Sequence, residues 1–128
     1  MKKKILLIDD EPAFTRLLKL NLEKTGSYEV REENVGSRGL AAVKEFKPDL
    51  VLLDVIMPDV DGSTVVSQIR CSEEVKETQV VFLTAVLTKR EASVKSGTLH
   101  AIPCLAKPVA TQEVVACIEK YTSAKNPS

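Results

Sequence analysis

The sequence predicts an α/β fold, a five-stranded parallel sheet with helices on both faces. Three observations carry this expectation. Short runs of four or five residues are almost wholly apolar, which suits strands buried on both faces. Segments with apolar residues at 3–4 spacing lie between them. Acidic or polar residues stand directly after several of the runs, at the strand ends where such sheets place their sites.

The first strand is Ile5-Leu6-Leu7-Ile8. A helix follows with Phe14, Leu17, Leu18 and Leu22 at helical spacing, Pro12 at its first position and Gly26 as its C-terminal cap. Tyr28-Glu29-Val30-Arg31 alternates and is polar, so it reads as a less buried edge strand. A second helix at about 37–46 has Leu40, Val43 and Phe46 on one face and Pro48 beyond its end. Leu50-Val51-Leu52-Leu53 is the third strand, followed by a helix at about 63–71 with Val65, Val66 and Ile69. Val80-Val81-Phe82-Leu83 is the fourth strand, and the helix at about 88–97 is weakly apolar, with only Ala92 and Val94, ending near Gly97. The fifth strand is Ala101-Ile102-Pro103-Cys104-Leu105, and Pro103, lacking an N–H, suggests that it too lies at an edge. The fifth helix, about 110–122, has Val114, Val115, Ile118 and Tyr121.

The 128 residues fit one domain, expected over 1–122, with 123–128 as a polar tail or the start of a linker. The formal net charge is zero, which argues against nucleic-acid binding through phosphate neutralisation. No apolar run approaches the roughly 20 residues of a membrane span. Lys2-Lys3-Lys4 is followed by too few apolar residues for a signal peptide. Cys71, Cys104 and Cys117 lack metal-ligand spacing, and with one histidine a zinc site is not expected. A reduced, cytoplasmic setting follows.

The strand ends carry the chemistry. Asp9, Asp10 and Glu11 follow the first strand, and Asp54 ends the third, with Met57-Pro58-Asp59 and Asp61-Gly62 after it. Thr84-Ala85 ends the fourth and Ala106-Lys107-Pro108 the fifth. Three close carboxylates repel one another, and a hard divalent cation removes that conflict. Thr84 and Lys107 are donors that a phosphoryl group would satisfy. The set points to metal-assisted phosphoryl transfer with a carboxylate as nucleophile. Each residue alone has a plainer reading: Asp9 or Asp10 as helix N-cap, Asp54 as a turn residue, Thr84 as a cap, Lys107 as a solvated lysine. Asp59, Asp61 and Gly62 read as turn chemistry, and His100 as a surface or strand-entry residue.

In Asp9-Asp10, in Leu53-Asp54-Val55-Ile56-Met57-Pro58-Asp59-Val60-Asp61-Gly62, in Thr84-Ala85 and in Lys107-Pro108, taken in order at strand ends, the chain resembles the receiver domain of bacterial two-component response regulators over about residues 3–122. The resemblance implies a flavodoxin-like (βα)5 fold with strand order 2-1-3-4-5. It implies that Asp54 is the phosphoacceptor, served by a sensor histidine kinase or a histidine phosphotransfer protein. It also implies Mg2+ held by Asp10 and Asp54, by Asp9 partly through water, and by the backbone carbonyl of Ile56. Thr84 and Lys107 would contact the phosphoryl oxygens, and the Lys107–Pro108 bond would be cis. Signalling would change the surface around the fourth and fifth helices and regulate an output domain or docking target, with no nucleic acid bound through this domain and no membrane.

Two positions depart from the family pattern. Cys104 stands where many receivers carry an aromatic switch residue, and Val109 replaces the aromatic often seen after Lys-Pro. Ile56 and Val86 flank the path of the attacking water and are aliphatic, so slow autodephosphorylation is expected. A phosphohydrolase of the haloacid-dehalogenase type needs a second acid two residues after the nucleophile, and Ile56 occupies that place. A flavodoxin-like nucleotide binder would need a Gly-rich loop where Asp9-Asp10-Glu11-Pro12 stands. The remaining alternative is a receiver-like docking module that is never phosphorylated. Separate substrate turnover, as in an enzyme, is not expected.

Overall fold

The computed structural model describes residues 2–84, 98–99, 102–107 and 109–123. The expected helix at 88–97 lies outside these residues, as do Ala85, Val86, His100, Ala101 and Pro108. The elements run β1 (Lys3–Ile8), α1 (Pro12–Lys24), β2 (Tyr28–Glu33), a 3-10 turn (Gly36–Arg38), α2 (Gly39–Phe46), β3 (Leu50–Asp54), α3 (Gly62–Arg70), β4 (Gln79–Thr84), β5 (Thr98–Leu99), β6 (Ile102–Ala106) and α4 (Thr111–Ser123). Here α4 is the fifth helix of the prediction and β6 its fifth strand.

The sheet order is β2-β1-β3-β4-β6-β5. The first five strands in that order pair in parallel and reproduce the expected 2-1-3-4-5 arrangement. β5 is an addition: Thr98 and Leu99 run antiparallel to β6, opposite Pro103 and Ile102. The proline therefore marks the edge of the parallel set, while the two-residue strand lies outside it.

Alternation along the central strands fills two cores. Ile5, Leu7, Leu50, Leu52, Val81 and Leu83 face α1 and α4, against Leu18, Leu22, Val114 and Ile118. Leu6, Ile8, Val51, Leu53, Val80 and Phe82 face α2 and α3, against Ala42, Val43, Val65 and Ile69. Burial on both faces is why these strands read as unbroken apolar runs. The edge strand β2 keeps the alternation, with Tyr28 and Val30 buried and Glu29 exposed.

Helix α1 corrects the sequence in two details. Leu17 is 61% exposed, although its spacing had placed it on the inner face, and the inward position goes to Thr15, which is fully buried. The N-cap is Glu11 rather than Asp9 or Asp10, and its side chain makes no capping hydrogen bond. Gly26 follows the helix at φ 83°, a conformation open to glycine at little cost, and its N–H donates to the Glu23 carbonyl. No described helix is long and apolar enough to cross a membrane.

A polar clasp ties α4 to the sheet. Lys3 Nζ donates to Glu119 Oε1 (2.9 Å) and to Thr122 Oγ1 (2.8 Å), and the Tyr28 hydroxyl donates to Glu119 Oε2 (2.6 Å). These donors, Tyr28 first, hold the Glu119 carboxyl below its ordinary value. The stabilisation is therefore present above the unfolded pKa and lost as pH falls through the lowered one. Glu119 is half-exposed, so solvent screening keeps the effect small. Glu119→Gln is expected to lower the thermal midpoint by about 2–4 °C at pH 7, with the gap closing below about pH 4. Melts of both proteins across that range check this, and a gap that persists at pH 3 would assign the loss to something other than the charge.

Candidate functional site

The register of the sheet assembles the site. Ile8 pairs with Leu53, so the next residues, Asp9 and Asp54, are neighbours. Asp54 pairs with Leu83, and Thr84 pairs with Ala106, which sets Thr84 and Lys107 on the next rows. The Lys107 N–H donates to the Thr84 carbonyl (2.9 Å) and the Val55 N–H to the Leu83 carbonyl (3.2 Å), so the ladder continues past the strands and fixes these ends.

Carboxylate oxygens of Asp9, Asp10 and Asp54 all lie within 4.8 Å of one another. Asp9 is fully buried, Asp54 is 7% exposed, and Asp10 is half-buried. Burial first, and then the charge of Asp9, push the Asp54 carboxyl up to about 6; Lys107 pulls the other way. Burial likewise raises Asp9. Asp9 Oδ1 accepts the Glu11 N–H (3.0 Å). Asp9 Oδ2 is paired with Lys107 Nζ at 2.5 Å.

Lys107 is divided among acids. Its Nζ is 3.1 Å from Glu11 Oε1 and 3.8 Å from Asp54 Oδ2, and it sits 4.6 Å from the centre of the Phe14 ring. Burial works to lower its pKa, and the contacts with Asp9, Glu11 and Asp54 more than reverse this. One ammonium thus faces three carboxylates, those of Asp9, Glu11 and Asp54, with the Asp10 carboxylate beside Asp9 and Asp54. Three clustered carboxylates, two of them buried, with a single ammonium among them are the donor set a small hard cation takes. Asp9, Asp10 and Asp54 therefore fit Mg2+, and residues 55–61 form the loop beside them.

That loop is built on close packing. The Gly62 N–H donates to the Val55 carbonyl (2.7 Å), and a Cβ on Gly62 would stand 2.5 Å from the Asp54 carbonyl oxygen. Met57 is buried and Ile56 is 57% exposed. Asp59 Oδ2 accepts the Ser37 N–H (2.8 Å), a bond that helps hold its carboxyl below the ordinary range.

The structure brings together Asp9, Asp10, Asp54, Thr84 and Lys107. Thr84 is 1% exposed at the end of β4. Cys104 sits half-buried on β6 beside Phe82, packed on the α2–α3 side with Ile102. Ala85, Val86 and Pro108 lie outside the described residues. Several neighbours of the site are not legible as such in the sequence. Glu11 and Phe14 hold Lys107, and Asn34 reaches the Asp9 carbonyl (2.8 Å). Asn34 did carry a signal, since it directly follows β2 and strand ends are where such sites gather.

Asp54 has a folded pKa above its unfolded one, so its ionisation costs stability as pH rises through about 6. Without metal, Asp54→Asn is expected to raise the thermal midpoint at pH 8 by about 5 °C, and the gain is expected to shrink at pH 5, where the native carboxyl is largely protonated. Melts in chelator check this; no gain at pH 8 would mean that burial and the Asp9 charge do not disfavour the ionised Asp54 carboxyl.

Known proteins resemble this chain in sequence and in fold. The family model described as the response regulator receiver domain matches residues 5–119. The DNA-binding dual master transcriptional regulator RpaA of Synechocystis is 36% identical over 113 residues, covering 88% of this chain and 46% of that protein. The alkaline phosphatase synthesis transcriptional regulatory protein PhoP of Bacillus subtilis is 34% identical over 122 residues, covering 93% of this chain and 48% of that protein. The chain thus spans about half the length of these curated relatives. Among solved structures, the receiver domain of the sensor histidine kinase PA1611 from Pseudomonas aeruginosa, with a magnesium ion in its active-site cleft, superposes with a TM-score of 0.78. It is 24% identical and the match covers 96% of this chain and 99% of that one, a likeness of fold. With the family model spanning both cores and every acidic strand end, the chain belongs to the response regulator receiver domain family.

Proposed function

We propose that the chain is a phosphorylatable switch in which Asp54 takes a phosphoryl group from a phosphohistidine of a sensor histidine kinase or histidine phosphotransfer protein. The observation that carries this reading is the convergence of a nearly buried carboxylate, two more carboxylates within 4.8 Å, a buried hydroxyl and an ammonium at one sheet edge. Asp10, Asp54 and the Ile56 carbonyl would hold Mg2+, with Asp9 partly through water. When bound, the ion neutralises charge on the carboxylates and on phosphoryl oxygens.

The protein's own groups do the remaining work by position. Asp54 presents an oxygen to phosphorus in line with the leaving imidazole. Lys107, 3.8 Å from Asp54 Oδ2, shifts from its other acids to a phosphoryl oxygen, and Thr84 donates to another. Beside the site a groove of about 390 Å³ runs between α1 and the start of α4. Phe14, Leu18 and Val109 line it, with Leu17 at its rim, and Leu20 is also exposed on α1. This apolar strip next to the acceptor suits a partner that must bring a histidine to Asp54. Movement of Thr84 would then alter the surface around α4, and Cys104 offers no ring to swing. The reading places the chain in the cytoplasm, acting on an output domain or docking target and turning over no separate substrate.

With Mg2+ and acetyl phosphate, intact mass is expected to show one added phosphoryl group, and none in Asp54→Asn. Cys104→Ala is expected to label like the wild type. Labelling that persists in Asp54→Asn would point to another acceptor, and an unlabelled wild type would favour the docking module.

The exposed Ile56 cannot orient an attacking water. After donor removal the phosphoryl group is expected to decay with a half-life of minutes or longer. Ile56→Asn is expected to shorten it several-fold, since each tenfold in rate needs only about 1.4 kcal/mol. Decay within seconds in the wild type would show that this side chain does not limit access of water.

A further inference from the structure

We propose that Asn34 is a positioning residue for the cation, its side-chain amide fixing the Asp9–Asp10 step from the end of the neighbouring strand. The inference rests on the reading of Asp9, Asp10 and Asp54 as ligands of a divalent ion.

Asn34 Nδ2 donates to two acceptors, the Asp9 carbonyl at 2.8 Å and Thr15 Oγ1 at 3.0 Å. An amide nitrogen has two hydrogens, so both are used. The Asp9 carbonyl belongs to the peptide that leads into Asp10. Its direction sets the plane of that peptide, and therefore where the Asp10 side chain starts. On the other side of Asp9, its N–H donates to the Glu33 carbonyl (3.1 Å). The turn is thus held from β2 at two consecutive residues. Among the described residues, no other hydrogen bond to the Asp9 carbonyl is present.

The far end of the network is fixed as well. Thr15 is fully buried, and its hydroxyl donates to Glu32 Oε1 at 2.6 Å, which leaves its lone pairs for Asn34. Arg16 Nε in turn meets Glu32 Oε2 at 3.3 Å on the exposed side. Asn34 therefore joins three elements, the end of β2, the Asp9–Asp10 turn and the first turns of α1. Mg2+ demands near-octahedral geometry at short distances, so a ligand misplaced by a fraction of an ångström weakens it. Partners that orient metal ligands typically contribute 10- to 100-fold in affinity.

The test is a calorimetric Mg2+ titration of the metal-free chain at pH 8, beside melts of the same metal-free proteins. Asn34→Ala is expected to weaken Mg2+ binding about tenfold. Arg16→Ala removes only the outer ion pair and is expected to bind within twofold of wild type. A merely structural role for Asn34 would lower the metal-free midpoint and leave the dissociation constant unchanged, and that result overturns the inference. Should Asn34→Ala fail to fold, Thr15→Val keeps the shape and removes the anchor of the amide; several-fold weaker binding supports the proposal, and wild-type affinity overturns it. A wild-type chain that binds no Mg2+ overturns the cation reading and this inference with it. A wild type that binds beside an Asn34→Ala protein that binds equally overturns the inference alone.

Discussion

The arrangement depends on unresolved electrostatic repulsion. Asp9 and Asp54 are carried to adjacent places by the pairing of β1 with β3, and both are buried there. Water cannot screen them, and Lys107 is shared among Asp9, Asp54 and Glu11. The metal-free site therefore sits above its lowest electrostatic free energy, and incoming positive charge relieves it. The surrounding construction maintains this condition. Two apolar cores hold the strands in register, and backbone bonds beyond the strand ends keep Thr84 and Lys107 beside the acids.

Much of this was legible in the sequence because it follows from short-range rules. A strand covered on both faces has to be apolar throughout, so Leu50 to Leu53 announced itself, and the acid that breaks the run is the one that reaches the site. The polar alternation of Tyr28 to Arg31 marked the outermost strand for the same reason. Pro12 and Gly26 bounded α1 through backbone geometry that local sequence controls.

What stayed hidden is set by partners distant in sequence. Leu17 and Leu18 fit a 3–4 pattern equally well, and the choice between them was made by Thr15, whose hydroxyl seeks Glu32 and is met by Asn34. A buried threonine turned inward rotates Leu17 out to solvent. The two-residue β5 is too short to show any periodicity. Glu11 looked like the tail of an acidic run, and only the fold brings Lys107, 96 positions later, within 3.1 Å of it.

Gly62 bears on how freely this sequence can drift. It lies eight positions past Asp54, is not among the acidic residues of the site, and would pass for an ordinary turn glycine. Yet a side chain of any kind there would meet the Asp54 carbonyl at 2.5 Å and the Val55 Cα at 3.0 Å, and backbone atoms cannot step aside as a flexible side chain can. The mutational alphabet at this position is a single letter, and its constraint is inherited from the acid it backs. A variant found there in a screen would act by displacing the Asp54 backbone while leaving its carboxyl group chemically intact.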